Sequence, residues 1–359
     1  MADVDFSTLV GLVSRYSPSG QERGAVEWLV AHMQSLGFTH AFRDEAGNAI
    51  GIMGTGTRQI VLLGHIDTVP GEIPVLEENG NLRGRGTVDA KGPLACFVDA
   101  VVKTGAVDGW QLVVIGAVEE ERDSEGARFV VNRYRPEFAI VGEPNHWDRI
   151  ALGYKGSAGS EVTVKREQMH SASGAATACE SAVELWLKIK AAADTFNEGK
   201  EKTFDQLLIT LRGMETYSND FEQGARLSIG GRLPVDVSPA EWYARLDEIL
   251  REGQSLKGGR IVVKPTGFPV PAWECQKNTP LVRTFLRGIR SQGGEPRFVY
   301  KTGTADLNIV APVWGCPALV YGPGDAALDH TPDEHIELKD YSQAVAVLSE
   351  ALRRLLRKP

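Results

Sequence analysis

The run Ile60-Val61-Leu62-Leu63 passes directly into Gly64-His65-Ile66-Asp67-Thr68-Val69-Pro70, so a short apolar segment ends on a histidine and an aspartate two residues apart. Four consecutive apolar residues between turn signals read as a strand buried on both faces, the texture of a parallel sheet covered by helices. A second run of this kind, Leu112-Val113-Val114-Ile115, is followed by Glu119-Glu120-Glu121. Sites in open α/β sheets collect outside the carboxyl ends of the strands, so acidic and histidine residues placed there are themselves a functional signal.

Helices fit between these strands. Val26, Leu29, Val30, Met33 and Leu36 recur at helical spacing between Gln21 and Gly37, with Gly37 placed as a C-terminal cap. Pro93 suits the first turn of a helix running to about Val102. From about Tyr154 the texture changes. Strand-like Glu161-Val162-Thr163-Val164, a helix from Ala175 to Ala193, strands at Gln206 to Leu211 and Ala225 to Leu233, a helix from Ala240 to Arg251 and a strand at Arg260 to Lys264 form a β-α-β-β-α-β series. The expected fold is α/β, a mostly parallel mixed sheet with helices on both faces, interrupted by an α+β ferredoxin-like insertion. A chain of 359 residues has room for both. Residues 1–155 and 267–359 are expected to form one catalytic domain, with 156–266 the inserted one.

The formal net charge of -8 argues against nucleic acid or an anionic membrane as partner, since both are recognised by dense Lys/Arg patches. No apolar run approaches membrane-spanning length, and the acidic opening Met1-Ala2-Asp3-Val4-Asp5 lacks the features of a secretory signal, so a cytoplasmic location is expected. Cys96, Cys179, Cys275 and Cys316 are widely spaced and form no Cys-x-x-Cys pair. They are expected to be buried, inert thiols rather than disulfides or a thiolate metal site.

The segment Gly84-Arg85-Gly86-Thr87-Val88-Asp89-Ala90-Lys91-Gly92, with Glu143 and His330 further on, completes a ligand inventory for two metal ions. Asp89 has two carboxylate oxygens with which to bridge two cations. One imidazole and one further carboxylate per ion then give near-symmetric sets, His65 with Glu143 and Glu121 with His330. Asp67, two residues beyond His65 on an extended segment, returns to the same side and can accept the remaining imidazole N–H. A water between two such ions needs a base, and the glutamate run supplies one: Glu120, with Glu121 as ligand, or Glu119 with Glu120 one residue earlier. Carboxylate and imidazole donors accept zinc, cobalt or manganese. His32, His40, His146 and His335 lack supporting neighbours and read as structural, and Gly54-Thr55-Gly56-Thr57 is a turn rather than a dinucleotide fingerprint.

Taken together these segments resemble the M20 peptidase family of di-zinc aminoacylases and carboxypeptidases. That pattern runs His-x-Asp, Gly-Arg-Gly-x-x-Asp-x-Lys-Gly, an acidic pair, Gly-Glu-Pro as in Gly142-Glu143-Pro144, and a late histidine as in Asp329-His330-Thr331-Pro332-Asp333-Glu334. The match spans essentially the whole chain. A gapless fit from Glu119 to Arg128 with the acetylornithine-deacetylase branch favours Glu120 as base and Glu121 as ligand. The resemblance implies a zinc-exopeptidase type of sheet and an inserted lid domain that dimerises. It also implies a cis peptide bond after the bridging residue, here between Asp89 and Ala90.

The same resemblance implies substrate contacts. Met169-His170-Ser171-Ala172-Ser173-Gly174 is similar to the segment whose histidine reaches the active site of a second copy to polarise the scissile carbonyl, although its proline is missing. Arg232 matches the strand arginine that holds a substrate carboxylate, with Gly230 where an acid usually stands. Lys301-Thr302-Gly303-Thr304-Ala305-Asp306 and Ser17-Pro18-Ser19-Gly20-Gln21-Glu22 resemble the branch that releases lysine or ornithine from the γ-glutamyl end of a small acidic amino-group carrier protein, in lysine and arginine biosynthesis. Lys301, Thr304 and Asp306 are then substrate-binding candidates, and a homodimer with two divalent ions, zinc first, is expected. The other readings are a deacylase of N-acetylornithine, succinyl-diaminopimelate or another small N-acyl amino acid; a dipeptidase or aminopeptidase; and a non-enzymatic metal-binding regulator.

Overall fold

The computed structural model describes residues 5–253 and 259–357, so the acidic opening Met1-Ala2-Asp3-Val4 lies outside the described residues. The chain divides into two compact units. The first runs to Gly153 and resumes over Cys275–Tyr300 and from Ala305 onward; the second is Tyr154–Glu274 with Lys301–Thr304.

In the first unit a sheet runs in the order His40–Arg43, Ala49–Met53, Trp110–Ala117, Arg58–His65, Phe138–Gly142, Ala318–Val320 and Arg149–Tyr154. The four strands from Trp110–Ala117 to Ala318–Val320 are mutually parallel, their immediate neighbours Ala49–Met53 and Arg149–Tyr154 are antiparallel to them, and His40–Arg43 is antiparallel to Ala49–Met53. The apolar runs form their middles: Ile60, Val61, Leu62 and Leu63 are fully buried. Both strands extend beyond those runs, to Arg58–His65 and Trp110–Ala117, because ladder pairing continues through flanking residues that alternation alone leaves out.

One row of residues fixes how tightly this sheet is covered. Gly64 stands opposite Gly116 on one side and Gly142 on the other. A Cβ on Gly64 or Gly116 would lie 3.2 or 3.1 Å from Leu94, and one on Gly142 would lie 2.9 Å from Phe97. The helix Lys91–Thr104 therefore packs against bare backbone at the carboxyl edge of the sheet, immediately after Asp89 in the chain.

The second unit is a four-stranded antiparallel sheet in the order Leu208–Ser218, Glu222–Leu233, Gly156–Glu167, Gly259–Val270. Helices Ala178–Asn197 and Pro239–Gly253 bury Leu185, Ile189, Trp242 and Leu246 against it. That connectivity and strand order make a ferredoxin-like unit.

Several boundaries differ from the sequence reading for physical reasons. The first helix of the unit starts at Ala178 rather than Ala175, because Thr177 and Glu180 form a capping box, and it continues to Asn197. The last strand runs on to Val270 past Pro265, which an edge strand tolerates, so the unit ends near Glu274 instead of 266. The thiols also need correction: Cys96 and Cys275 are buried, but Cys179 is exposed in the first turn of its helix and Cys316 is half-buried. No helix among the described residues is long and apolar enough to cross a membrane.

The helix Lys91–Thr104 is tied to both ends of the first unit through Asp99, which accepts hydrogen bonds from Thr8 Oγ1 at 2.5 Å and Tyr341 Oη at 2.6 Å. Burial pushes the Asp99 carboxyl up to about 6, and the two hydroxyls only partly offset this. A carboxyl raised on folding contributes stability that is full below about pH 4 and is lost as pH rises through about 6. Asp99→Asn should therefore gain on the wild type as pH rises, by about 2–3 kcal/mol at pH 7 relative to pH 4. Melting temperatures of both proteins from pH 4 to 7 measure this, and a pH-independent difference would count against it.

Candidate metal centre

The three adjacent parallel strands end level with one another, since Gly64 pairs with both Gly116 and Gly142 and His65 with Ala117. Their carboxyl ends consequently deliver His65, the Glu119 to Glu121 turn and Glu143 to one place. Glu119 turns the chain there with φ 60°, and its carbonyl accepts the N–H groups of Arg122, Asp123 and Ser124.

Asp89 faces a different imidazole with each oxygen. Its Oδ1 lies 3.1 Å from His65 Nε2 and its Oδ2 lies 2.9 Å from His330 Nε2. Glu121 Oε1 is 3.0 Å from the same His330 nitrogen. Ligand atoms of His65, Asp89 and Glu143 all lie within 4.8 Å of one another, as do those of Asp89, Glu121 and His330. A third grouping, His65 with Glu120 and Glu121, puts Glu120 beside both sets. Glu119 instead lies 3.6 Å from Arg122. The peptide bond between Asp89 and Ala90 is cis.

Asp67 is fully buried beneath these groups. Its Oδ1 is 3.3 Å from His65 Nδ1, but its own carbonyl oxygen is nearer, at 3.0 Å, so the imidazole has two acceptors from one residue. The carboxylate chiefly organises the glutamate turn: Oδ1 accepts the Glu120 N–H and Oδ2 the Glu121 N–H, both at 3.1 Å, while Ser19 Oγ donates to Oδ2 at 2.7 Å. Burial opposes its charge, yet His65, Ser19 and the Glu121 amide hold Asp67 below the usual carboxylate range.

The loop that carries Asp89 is gripped by a residue that spacing did not reveal. Glu334 is fully buried, and its Oε1 accepts the backbone N–H groups of Gly86, Val88 and Asp89 at 3.0, 3.0 and 3.1 Å. Its Oε2 accepts Arg85 Nη1 at 2.8 Å, and Arg85 also donates to the carbonyls of Gly71 and Thr331. Glu334 follows His330 closely in the chain, so one carboxylate couples the segments of two proposed ligands. The glycines of the motif follow from the same packing: Gly86 has φ 86°, and a Cβ on Gly92 would fall 2.2 Å from the Thr87 carbonyl oxygen. Lys91 is buried, donates to the Arg15 carbonyl at 2.6 Å, and is pulled down to about 7 by burial.

Electrostatically the centre is overloaded with carboxylates. Burial pushes Glu120 and Glu143 well above the usual range; Asp306 raises both, and Glu143 and Glu121 add to the shift of Glu120, while His65 pulls the other way. Glu121 is also raised by burial. His330 is pushed up to about 10 by its hydrogen bonds to Asp89 and Glu121. A set of imidazoles and carboxylates that holds protons this firmly fits divalent cations, which bind such donors in place of protons.

The substrate candidates are distributed between the units. Asp306 belongs to the first; it is 2% exposed, its Oδ1 has no hydrogen-bond partner, and burial pushes it up to about 6. Lys301 and Thr304 fall with the second unit, and there Arg232 Nη1 donates to Thr304 Oγ1 at 3.1 Å. His170 is exposed on a short turn of the second unit, where its Nδ1 accepts the Ala172 N–H at 3.1 Å.

A parallel-centred α/β sheet with two carboxylate and imidazole sets sharing one aspartate at its carboxyl edge defines a two-metal amide hydrolase. The chain belongs to peptidase family M20/M25/M40, whose profile matches residues 61–354. A Deinococcus radiodurans protein described as a LysW-lysine hydrolase is 40% identical over 351 residues, covering 96% of this chain and 95% of that one. A Thermococcus kodakarensis relative, provisionally described as a LysW-lysine/LysW-ornithine hydrolase, is also 40% identical and covers 96% and 90%. The solved M20 metallo-carboxypeptidase of Sulfolobus solfataricus shares the fold at TM-score 0.77 over 99% of both chains, at 17% identity. The family read from the motifs is thus the family of the chain.

Glu334→Ala should weaken metal binding by roughly 10- to 100-fold, the usual effect of removing a group that orients ligands from behind. Glu334→Gln, which keeps an acceptor for the amides, should lose less. Chelator competition measures both, and wild-type affinity in the alanine variant would contradict the role given to Glu334.

Proposed function

We propose that this hydrolase releases lysine or ornithine from the γ-glutamyl end of a small acidic amino-group carrier protein. The catalytic part rests on one observation: the two oxygens of Asp89 face His65 and His330 separately, with Glu120 beside both sets. The substrate part is supported by likeness along nearly the whole chain to relatives whose descriptions name LysW-linked lysine and ornithine.

In this reading Asp89 would hold both cations, with His65 and Glu143 to complete one set and Glu121 and His330 the other. Zinc is our assignment, and when bound the ions would supply the charge that acidifies a water toward neutral pH and polarises the amide carbonyl. Glu120 takes the proton of the attacking water and passes it to the leaving amine, a task suited to a buried carboxyl whose neighbours already favour its protonated form. Asp67 holds the backbone of Glu120 and Glu121 and the His65 ring in place. The unpartnered Oδ1 of Asp306 is an acceptor suited to the ammonium of the released amino acid. Arg232, with Thr304, takes a substrate carboxylate, and Lys301 lies in the same segment. We assign His170 to carbonyl polarisation in a second copy of the chain; its exposure, and that of Val183 and Leu187 one helical turn apart on Ala178–Asn197, support a homodimer through the inserted unit. Four free cysteines agree with a cytoplasmic enzyme.

Glu120→Gln should lower kcat by about 100- to 10,000-fold while two metal ions per chain remain bound. Loss of metal in that variant would instead assign Glu120 as a ligand and Glu119 as the base. The substrate is tested on purified enzyme with lysyl carrier protein, N-acetylornithine, succinyl-diaminopimelate and a dipeptide. Activity on the carrier conjugate above all others is expected, and activity confined to the dipeptide would overturn the reading.

A further inference from the structure

Within the first unit, Glu143 and His330 follow two neighbouring parallel strands, Phe138–Gly142 and Ala318–Val320, and the segments that carry them stay paired beyond the sheet. Tyr321 N–H donates to the Val141 carbonyl at 2.9 Å, Asn145 N–H to that of Gly322 at 3.0 Å and His146 N–H to that of Gly324 at 2.9 Å. A Cβ on Gly322 would lie 2.7 Å from the Glu143 carbonyl oxygen, so the segments run in contact. His146 closes this pairing with φ 59°, an uncommon conformation for a side-chain-bearing residue. Spacing alone gave it no partner, yet its side chain lies between two carboxylates.

His146 Nε2 is 3.6 Å from Asp325 Oδ1, and its Nδ1 is 3.8 Å from Asp340 Oδ1. Each acid in turn holds backbone on the way to His330. Asp325 caps the short turn Ala326–Leu328, its Oδ1 accepting the Ala327 N–H at 3.0 Å. Asp340, in the first turn of the helix Leu338–Leu356, accepts the N–H groups of Gly324 at 2.6 Å and Trp147 at 3.1 Å. No residue from Asp325 to His330 is buried, so packing does little to fix this turn and its polar ties carry more of the task. The close approach of Asp340 raises His146 above the ordinary imidazole range, with Asp325 adding to it and partial burial and Arg149 opposing. A doubly protonated ring presents an N–H to each carboxylate, whereas a neutral ring turns a lone pair toward one of them.

We propose that His146 is a positioning residue for His330: by bridging Asp325 and Asp340 it fixes the turn that delivers His330 to the Glu121 side of the centre. The inference rests on the proposed two-ion centre. His146 itself touches no reacting atom and acts through the two aspartates. Because it belongs to the Glu143 loop, it also couples one donor of each set.

Chelator competition on the zinc-loaded protein tests this, with His330→Ala and Glu143→Ala marking which affinity belongs to which set. His146→Asn removes the cation but keeps a residue that tolerates positive φ. It should weaken the ion marked by His330→Ala by roughly 10-fold and leave the one marked by Glu143→Ala unchanged. Asp325→Asn keeps an acceptor for the Ala327 amide and removes the charge, and the double variant should lose no more than either single one. The advantage of wild type over His146→Asn should be full below about pH 6.5 and fade as pH rises through the raised value of His146. Equal weakening of both ions, additive losses in the double variant or a loss independent of pH would overturn the inference and leave the two-ion centre standing. Wild-type protein that binds a single ion would remove that centre, and the inference with it.

Discussion

Burying several carboxylates in one place is the constraint that organises this molecule. Asp67, Asp89, Glu120, Glu121, Glu143 and Asp306 converge at the carboxyl edge of a sheet around His65 and His330, and four of the acids are raised by burial. A cluster of this kind is stable when cations are shared among its oxygens. The two imidazoles on opposite sides of Asp89 divide the carboxylates into two sets of similar chemistry, which is the reason to expect two ions. The backbone bears the strain of this arrangement where it must: Glu119 and His330 both take positive φ, an uncommon conformation for non-glycine residues that is concentrated at functional sites.

Holding the cluster together needs contacts that reach across the chain. Glu334 binds three amides of the Asp89 loop, and Asp67 binds two amides of the glutamate turn, so each of these loops is fixed by a carboxylate from elsewhere in the sequence. The glycine row of Gly64, Gly116 and Gly142 lets the helix after Asp89 press against the sheet just below the donors. Backbone amides serve twice in this design, since they satisfy the carboxylates that position the proposed ligands and leave the oxygens of those ligands available to cations.

Much of this was legible in the sequence, because apolar runs ending in His65 and Glu119 to Glu121 mark both a strand and the donors at its carboxyl end. The choice between two registers of the glutamate run was not legible from spacing; it depends on which side chain meets His330 across the chain, and Glu121 does so at 3.0 Å. Glu334 stood out only as part of the segment around His330, for its contacts lie 248 residues away at Gly86 and leave no periodic trace. Lys301 to Thr304 grouping with the inserted unit was invisible for the same reason.

The proposed chemistry stands on Asp89 joining two ions. Anomalous diffraction from zinc-loaded crystals tests this directly. It should show two peaks about 3.5–4 Å apart, one beside His65 and Glu143 and the other beside Glu121 and His330, with one Asp89 oxygen on each. A single fully occupied peak at saturating metal, or two peaks with Asp89 touching only one, would contradict it.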